Sequence, residues 1–316
     1  MREIGGYLGF EELIHREYYP QLTALNTARS AMLYIMKARG VRKLYIPYYL
    51  CGSVARVLER EGYAYEYYHV GEDFMPAFNG TIHEGECLYV VNYYGRITDD
   101  KAVMLKAEYG NIMLDNVQAF FQRPQNGIDT VYSCRKFFGV PDGAYAATEA
   151  EYPHEIPQDV SAGRMKHILG RCEGRSASEY YGDFKRSDES YASAPVMKMS
   201  WLTHNLLGAI DYERAKMKRE ENYMTLHNIL GGSNKLPEFF PEGSFAYPYY
   251  CPDGISVRKK LVAKKIFVAT LWPFCVDCGD SVAEDYAANI LPLPCDQRYS
   301  VEDMRFVAGE VMKVRA

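Results

Sequence analysis

The sequence predicts an α/β fold built on a mainly parallel β-sheet. Short apolar stretches alternate with longer amphipathic stretches, and the connections between them are short. This pattern is typical of parallel strands joined by helices. The chain has 316 residues, of which 48% are hydrophobic, so it is large enough for one extensive core or for two unequal domains.

Composition excludes several classes of protein. The formal net charge of −5 provides no basic surface for nucleic acid. The sequence has no apolar run of about 18 residues, so we expect no transmembrane helix. The N-terminal stretch MREIGGYLGFEELIHREYYP carries acidic residues and lacks the apolar centre of a secretory signal. Eight cysteines without a disulfide-framework spacing indicate reduced thiols in the cytoplasm.

Cys275 and Cys278 form an isolated C-x-x-C pair. Such a pair could be redox active or could supply half of a metal site. Because no second cysteine pair follows at the spacing of a zinc site, we expect no metal. The 28 tyrosines are expected mainly in the core or at an interface, where the hydroxyl group can still reach water.

Local signals place the first elements of the predicted fold. We expect a short helix near residues 10–16, then a helix that Thr27 caps and Gly40 ends. The next predicted elements are a strand at 43–47, a helix at 53–61, and strands at 64–69 and 87–92. Neither a G-x-G-x-x-G turn nor a Walker A lysine motif is present, so the usual nucleotide-binding fingerprints are missing.

The first turn of the helix after Thr27 contains Ala28, Arg29 and Ser30. Unpaired N–H groups and the positive end of the helix dipole can bind a phosphate there, and Arg29 can add a positive charge. An ordinary capped helix explains the same residues and is the simpler interpretation of this segment alone.

The stretch 111–147 carries the strongest chemical signal. Two apolar runs, 112–114 and 130–132, predict buried strands. The polar residues that follow are Asp115 and Gln118 after the first run, and Ser133, Arg135 and Lys136 after the second, with a turn at Gly143. Ligands of an open parallel sheet bind at the carboxyl ends of the strands, so we expect an aspartate and a lysine in one crevice.

This pair of residues suits one cofactor. A lysine amine can form a Schiff base with the aldehyde of pyridoxal 5'-phosphate (PLP), and the pyridinium nitrogen of PLP needs an acidic partner. Lys136 and Asp115 would fill these two roles. The alternative is ordinary: an aspartate at a strand end often caps a turn or helix, and a lysine there is usually solvated.

Several blocks in order resemble the DegT/StrS-type aminotransferases, which are PLP-dependent enzymes that act on nucleotide sugars. The blocks are Ala28-Arg29-Ser30-Ala31-Met32, YIPYYLCGSV, Leu114-Asp115-Asn116-Val117-Gln118-Ala119, SCRKFFGVPDGA, the group Arg219, Asn222, Tyr223 and Leu226, Leu271-Trp272-Pro273, and ILPLPCDQRYSVEDM. The resemblance implies the three-layer type-I PLP-dependent transferase fold. It implies a large PLP-binding domain at 1–220 and a small C-terminal α+β domain at 221–316.

The resemblance also implies roles for single residues. Asp115 would contact the pyridinium nitrogen, Gln118 would contact the phenolic oxygen of the cofactor, and Lys136 would form the Schiff base. The implied phosphate contacts are Ser133, Ala28, Arg29 and Ser30.

The chain departs from the family pattern at three places. Lys136 lies closer to Ser133 than is usual in the family. Cys51 stands where an aromatic ring commonly stacks on the cofactor, so we expect the ring to be held by Cys51 or by a nearby tyrosine. The candidate tyrosines are Tyr48, Tyr49, Tyr93 and Tyr94. The family's G-x-N-x-R block is not recognisable in the polar stretch 151–195.

The resemblance implies transfer of an amino group from an amino acid, with glutamate expected, to a keto sugar that is linked to a nucleotide. Two alternatives stay open: another PLP reaction such as dehydration or amino-acid chemistry, and a non-catalytic binding protein that keeps the fold. The joint presence of Asp115, Gln118, Ser133 and Lys136 favours an enzyme. The resemblance also implies a homodimer, without a nucleic-acid or membrane partner.

Overall fold

A computed structural model describes residues 8–13 and 16–315. Its main feature is an eight-stranded sheet with the strand order β1-β8-β7-β6-β5-β2-β3-β4. The strands are β1 (Thr23–Leu25), β2 (Lys43–Pro47), β3 (Ala64–Val70), β4 (Pro76–Ala77), β5 (Glu86–Val91), β6 (Ile112–Asp115), β7 (Asp129–Ser133) and β8 (Ala144–Ala147). Five neighbouring strands of the sheet run parallel, namely β3, β2, β5, β6 and β7. At the edges, β8 is antiparallel to both of its neighbours, and β4 is antiparallel to β3.

Ten helices alternate with the strands of the sheet or come after β8 in the described part of the chain. They are α1 (Ala28–Arg39), α2 (Gly52–Glu61), α3 (Asp99–Tyr109), α4 (Lys166–Cys172), α5 (Tyr181–Glu189), α6 (Trp201–Gly208), α7 (Tyr212–Leu230), α8 (Gly254–Ala263), α9 (Ser281–Asn289) and α10 (Val301–Arg315). The prediction of an α/β fold with a mainly parallel sheet is therefore confirmed. No helix in the described ranges is long and apolar enough to span a membrane.

The boundaries of α1 follow from its sequence. Thr27 has an extended backbone, and its hydroxyl oxygen accepts a hydrogen bond from the Ser30 N–H, as an N-cap does. Gly40 ends the helix in the left-handed region with φ 65°, where a glycine avoids the steric cost of a Cβ. The predicted cap and stop are both confirmed.

Both faces of the sheet are buried along β2, β5, β6, β7 and β8, which explains why these strands are apolar without a clean alternation. Along β7, Val131 packs into one large cluster with residues of α1 and α2. Its neighbour Tyr132 packs on the opposite face, in an aromatic cluster with Phe120 and Tyr145. Successive side chains of a strand point to opposite faces, so β7 joins two cores.

A second, smaller unit of packing lies in the C-terminal part. Strands β9 (Tyr247–Tyr250) and β10 (Ile290–Leu293) pair antiparallel, and α7, α8 and α10 surround them with an apolar cluster. The predicted domain boundary after residue 220 falls within α7. The first half of α7 packs on the aromatic cluster through Tyr212 and Ala215, and its second half packs on the C-terminal cluster through Leu226.

The N-terminal arm differs from its prediction. Residues 10–13 and 16 are not helical, and the other two residues of the predicted helix, 14 and 15, lie outside the described ranges. The Leu13 N–H donates to Asn205 Oδ1 at 2.6 Å, and Asn205 Nδ2 donates to the Glu11 carbonyl at 2.8 Å. These contacts with α6 satisfy backbone groups that a helix would otherwise pair.

Candidate active site

A cavity of about 330 Å³ lies at the carboxyl ends of the central strands. It is bordered by the ends of β5, β6 and β7 and by the first turns of α1 and α2. The predicted residues that line it are Ala28, Arg29, Cys51, Asp115, Gln118, Ser133 and Lys136. Because polar groups that follow parallel strands meet at one edge of a sheet, the topology brings these residues together.

A larger cavity of about 670 Å³ lies beneath the N-terminal arm. Its lining includes Glu17, Tyr145 and Trp201 but none of the residues predicted for the site. The smaller cavity is the one that holds an acid, an amine and several cationic groups, so we treat it as the candidate active site.

Asp115 ends β6 and is 7% exposed. Its Oδ1 accepts the Val117 N–H at 2.8 Å, and its Oδ2 accepts the Tyr89 hydroxyl at 2.9 Å. Burial raises the pKa of the Asp115 carboxyl, while the Val117 N–H, Lys136 and Tyr89 oppose that rise. The carboxyl is thus oriented through both oxygens, and each oxygen keeps a further lone pair for a ligand.

The Lys136 amine lies in an apolar setting. Its Nζ is 5.3 Å from the centre of the Phe245 ring and 6.0 Å from the Trp272 ring. Burial lowers the pKa of this amine, and nearby Asp115 opposes the shift. Within the described part of the chain, the amine takes no hydrogen-bond partner. A desolvated lysine without a hydrogen-bond partner is neutral more often than a lysine in water, and the neutral amine is the nucleophilic form.

The backbone next to Lys136 is held from the C-terminal part of the chain. The Phe137 carbonyl accepts Arg219 Nη2 at 3.0 Å and Gln297 Nε2 at 2.8 Å. Arg219 is fully buried and also donates to the Ser244 carbonyl at 2.8 Å. In the sequence, Arg219 was part of a block that resembles the family. In the structure, it holds the turn that carries Lys136.

The start of α1 forms the cationic end of the cavity. Ala28 and Arg29 line the cavity, and burial lowers the pKa of the Arg29 guanidinium. Ser30, in contrast, faces away from the lining, since its hydroxyl donates to Asn26 Oδ1 at 2.7 Å and its N–H is bound by Thr27. The hydroxyl of Ser30 is therefore not free to contact a phosphate, and only the first turn of α1 to which Ser30 belongs could do so.

The end of α5 and the residues just after it, within the segment 151–195, border the cavity. Asp188 and Ala192 belong to its lining. Arg135 pairs with Asp188 at 3.2 Å, and Arg60 Nη1 donates to the Ala192 carbonyl at 2.6 Å. This placement was not predicted, because the polar composition of the segment gave no sign of where it would dock.

Cys51, the residue expected beside the cofactor ring, and Trp272 both line the cavity. Tyr49 lies outside the lining and packs behind Trp272, with ring centres 5.2 Å apart. Tyr93 donates its hydroxyl to the Tyr49 carbonyl at 2.5 Å, and Tyr48 stacks on Tyr67 instead. These three tyrosines therefore lie outside the lining, whereas Trp272 is an aromatic ring that reaches the cavity.

Gln118 joins the cavity to the loop after β5. Its Oε1 accepts the Tyr94 N–H at 3.0 Å, and Tyr94 has φ 55°, in the left-handed region. That conformation is uncommon for a residue with a Cβ, and the hydrogen bond that the Tyr94 N–H donates to Gln118 stabilises it. With its oxygen so engaged, the NH₂ group of Gln118 is the end left to donate to a ligand.

The C-x-x-C pair lies next to the cavity wall but serves packing. Cys275 Sγ donates to the carbonyls of Tyr48 and Leu50 at 3.4 and 3.5 Å, while Cys278 is half-buried and free. Across residues 8–13 and 16–315, no three His, Cys, Asp or Glu side chains are grouped to hold a metal.

Solved structures share this architecture. Of three examples, the first is Spr1654 from Streptococcus pneumoniae in its PLP form. The second is PseC from Helicobacter pylori, which is described as an aminotransferase involved in the biosynthesis of pseudoaminic acid. The third is a DegT DnrJ EryC1 StrS aminotransferase from Brucella abortus. Their TM-scores are 0.63, 0.60 and 0.59, at sequence identities of 14%, 16% and 15%. The matches cover 93%, 92% and 92% of this chain, and 87%, 85% and 85% of the other chains.

These likenesses establish the fold. The chain has the architecture of structures named as aminotransferases, over nearly its whole length, which is what the sequence resemblance predicted. No protein-family model matches the sequence, and no curated protein matches it.

Proposed function

We propose that this protein is a PLP-dependent aminotransferase that acts on a sugar. The observation that carries the proposal is that a buried carboxyl, Asp115, and an unpartnered amine, Lys136, lie near each other in the lining of one cavity. Its fold is that of structures named as aminotransferases, including one in a PLP form. Perturbed titratable groups that converge in one cavity are typical of catalytic sites.

The donor set fits PLP at each of its ends. Asp115 suits the ring nitrogen, and the NH₂ group of Gln118 suits the phenolic oxygen. Ser133, Arg29 and the first turn of α1 suit the phosphate, because a hydroxyl, a cation and free N–H groups lie together there. Bound PLP would supply an aldehyde and a protonated ring that withdraws electrons.

Within that arrangement, the residues of this chain have distinct tasks. Lys136 Nζ would hold the cofactor at its aldehyde, and the same amine would carry a proton to and from the substrate carbon. The lowered pKa of Lys136 suits both tasks. Asp115 would keep the proton on the ring nitrogen. Trp272 and Cys51, which line the cavity, would shield the ring from water, with Tyr49 packed behind Trp272.

For the substrates we propose an amino acid as donor, with glutamate first, and a keto sugar linked to a nucleotide as acceptor. The support is the name of PseC, an aminotransferase of pseudoaminic acid biosynthesis, and the sequence resemblance. We also propose a homodimer, which light scattering of the purified protein would check.

Amino transfer tests the proposal. The protein, supplied with PLP and nitrogen-15-labelled glutamate, is incubated with a keto-sugar nucleotide or with a keto acid, and the products are separated by mass spectrometry. Label in the sugar, absent with Lys136→Ala, supports the proposal. Label only in the keto acid, or loss of water from the sugar without label, would replace it by another PLP reaction. No PLP bound and no turnover would favour the binding-protein alternative.

A further inference from the structure

Tyr89 contacts the acid of the site from the neighbouring strand. In the register of β5 and β6, Tyr89 lies opposite Met113 and Val91 lies opposite Asp115. Tyr89 is 2% exposed and belongs to the cavity lining. Its hydroxyl donates to Asp115 Oδ2 at 2.9 Å, so a neutral donor occupies one side of the carboxyl.

Because Tyr89 is the donor in this hydrogen bond, the bond affects the protonation of Asp115 and so its interaction with a pyridine ligand. A donor to the charged form of a carboxyl spreads the negative charge and lowers its affinity for a proton. Burial acts the other way on Asp115 and favours the neutral acid, and the Val117 N–H, Lys136 and the Tyr89 hydroxyl together oppose it. If Asp115 took the proton, the ring nitrogen of a cofactor would lose both its charge and its ion pair.

We propose that Tyr89 is a positioning residue that keeps Asp115 ionised and aimed at the ring nitrogen, so that this nitrogen stays protonated. The inference deepens the proposed function and rests on it. It accounts for a tyrosine in the interior of an apolar strand, where a phenol has to find a hydrogen-bond partner when it is buried.

The other ionisable groups near Asp115 do not duplicate this contact. The hydroxyl of Tyr68, on β3, donates to the Tyr89 carbonyl at 2.9 Å, and that of Tyr93, after β5, donates to the Tyr49 carbonyl at 2.5 Å. Burial raises the pKa of both phenols, so they stay neutral. Lys136 also lies near Asp115, and its amine is the group that the proposed function assigns to the cofactor.

The test compares two ligands that differ only at the ring nitrogen. Dissociation constants of PLP and of 1-deazapyridoxal 5'-phosphate, which lacks that nitrogen, are measured for the wild-type chain and for Tyr89→Phe from about pH 6 to about pH 9. We expect Tyr89→Phe to weaken PLP about tenfold and to leave the deaza compound unchanged. The pH below which PLP binding weakens should also move upward.

Tyr132→Phe is the matched control. Tyr132 is fully buried and donates to a backbone carbonyl, that of Gln122 at 3.0 Å, but it packs on the other face of the sheet. It should lose similar stability and keep the wild-type ratio of the two dissociation constants. If Tyr89→Phe proves unstable, 3-fluorotyrosine at position 89, a stronger donor, should move the ratio in the opposite direction.

The outcomes separate this inference from the proposed function. If the wild-type chain prefers PLP to the deaza compound and Tyr89→Phe keeps that preference, the inference is wrong and the proposed function stands. If the wild-type chain binds neither compound, both are wrong. An equal change of ratio in Tyr132→Phe would also overturn the inference, because the effect would then follow from stability alone.

Discussion

Replacing Lys136 with methionine should stabilise the cofactor-free protein while it abolishes amino transfer. The Lys136 side chain is half-buried, and its amine lies near the Phe245 and Trp272 rings and takes no hydrogen-bond partner within the described residues. A methionine has similar length and no charge, so it can fill the same space without the cost of burying an ammonium group. Lys136 would thus be needed for amino transfer although it lowers the free energy of unfolding.

The lowered pKa of Lys136 gives the sign of the effect, and its size is taken from the gain typical of replacing a functional group that destabilises the fold. Asp115 offsets part of the cost of burial, but the net shift remains downward. We expect Lys136→Met to raise the free energy of unfolding by about 1–2 kcal/mol at neutral pH, the usual gain when a strained functional group is removed.

The gain should depend on pH in one direction. Because the folded pKa lies below the usual value of 10.5, the unfolded chain binds more protons between the two values, and wild-type stability rises with pH there. The advantage of Lys136→Met is therefore greatest at neutral pH and shrinks as the pH approaches 10.5. Urea unfolding of the two cofactor-free proteins across this range measures it.

Lys43→Met provides a control of opposite sign. Lys43 pairs with Glu66 at 2.8 Å, and that contact raises the pKa of its amine. Removing a partly exposed pair should cost at most about 1 kcal/mol. If Lys136→Met instead destabilises the protein as Lys43→Met does, with no dependence on pH, the amine is not desolvated and our account of the site fails.

Three further predictions concern other parts of the site. Asp115→Asn should slow amino transfer from glutamate by about 10- to 100-fold, since a charge-assisted hydrogen bond of about 1.5–3 kcal/mol is lost; single-turnover kinetics measure it, and an unchanged rate would count against the assigned role. Ser133→Ala should weaken PLP binding by up to about tenfold through loss of one neutral hydrogen bond, as equilibrium dialysis would show, with no change if Ser133 does not meet the phosphate. Arg219→Met should lower the free energy of unfolding by about 3 kcal/mol, because it removes the buried donor to the Ser244 and Phe137 carbonyls; a loss below about 1 kcal/mol in urea unfolding would contradict this role.

Local chemistry explains which elements the sequence predicted well. Helix α1 begins at a hydroxyl cap, Thr27, and ends at a left-handed glycine, Gly40, and each signal depends on one residue. The cavity was predictable for a related reason. Asp115 and Lys136 follow strands that lie side by side, and the edge where parallel strands end is fixed by the direction of the chain.

Long-range pairing explains what the sequence could not predict. Tyr89 lies within the apolar run CLYVV and looks like an ordinary core residue until the register of β5 and β6 is known. Ser30 carries a suitable hydroxyl, but the cap of its own helix uses that group. The docking of segment 151–195 depends on single contacts such as that of Arg135 with Asp188, which leave no periodic signal.

Trp272 shows the same limit from another direction. Its position in Leu271-Trp272-Pro273 supported the resemblance but gave no hint of the cavity that it lines. Tyr49, placed by sequence beside the ring, proves to pack behind that tryptophan. The two residues lie far apart in the chain, so only the packing of the C-terminal part on the sheet decides which one faces the ligand.

The most direct test of the central claim is to trap the cofactor on its lysine. PLP is added to the purified protein, the visible absorption spectrum is recorded, and the sample is reduced with borohydride and digested for peptide mapping by mass spectrometry. The account predicts a visible band that borohydride removes, with the reduced cofactor attached to Lys136. No band, or attachment to a different lysine, would contradict it.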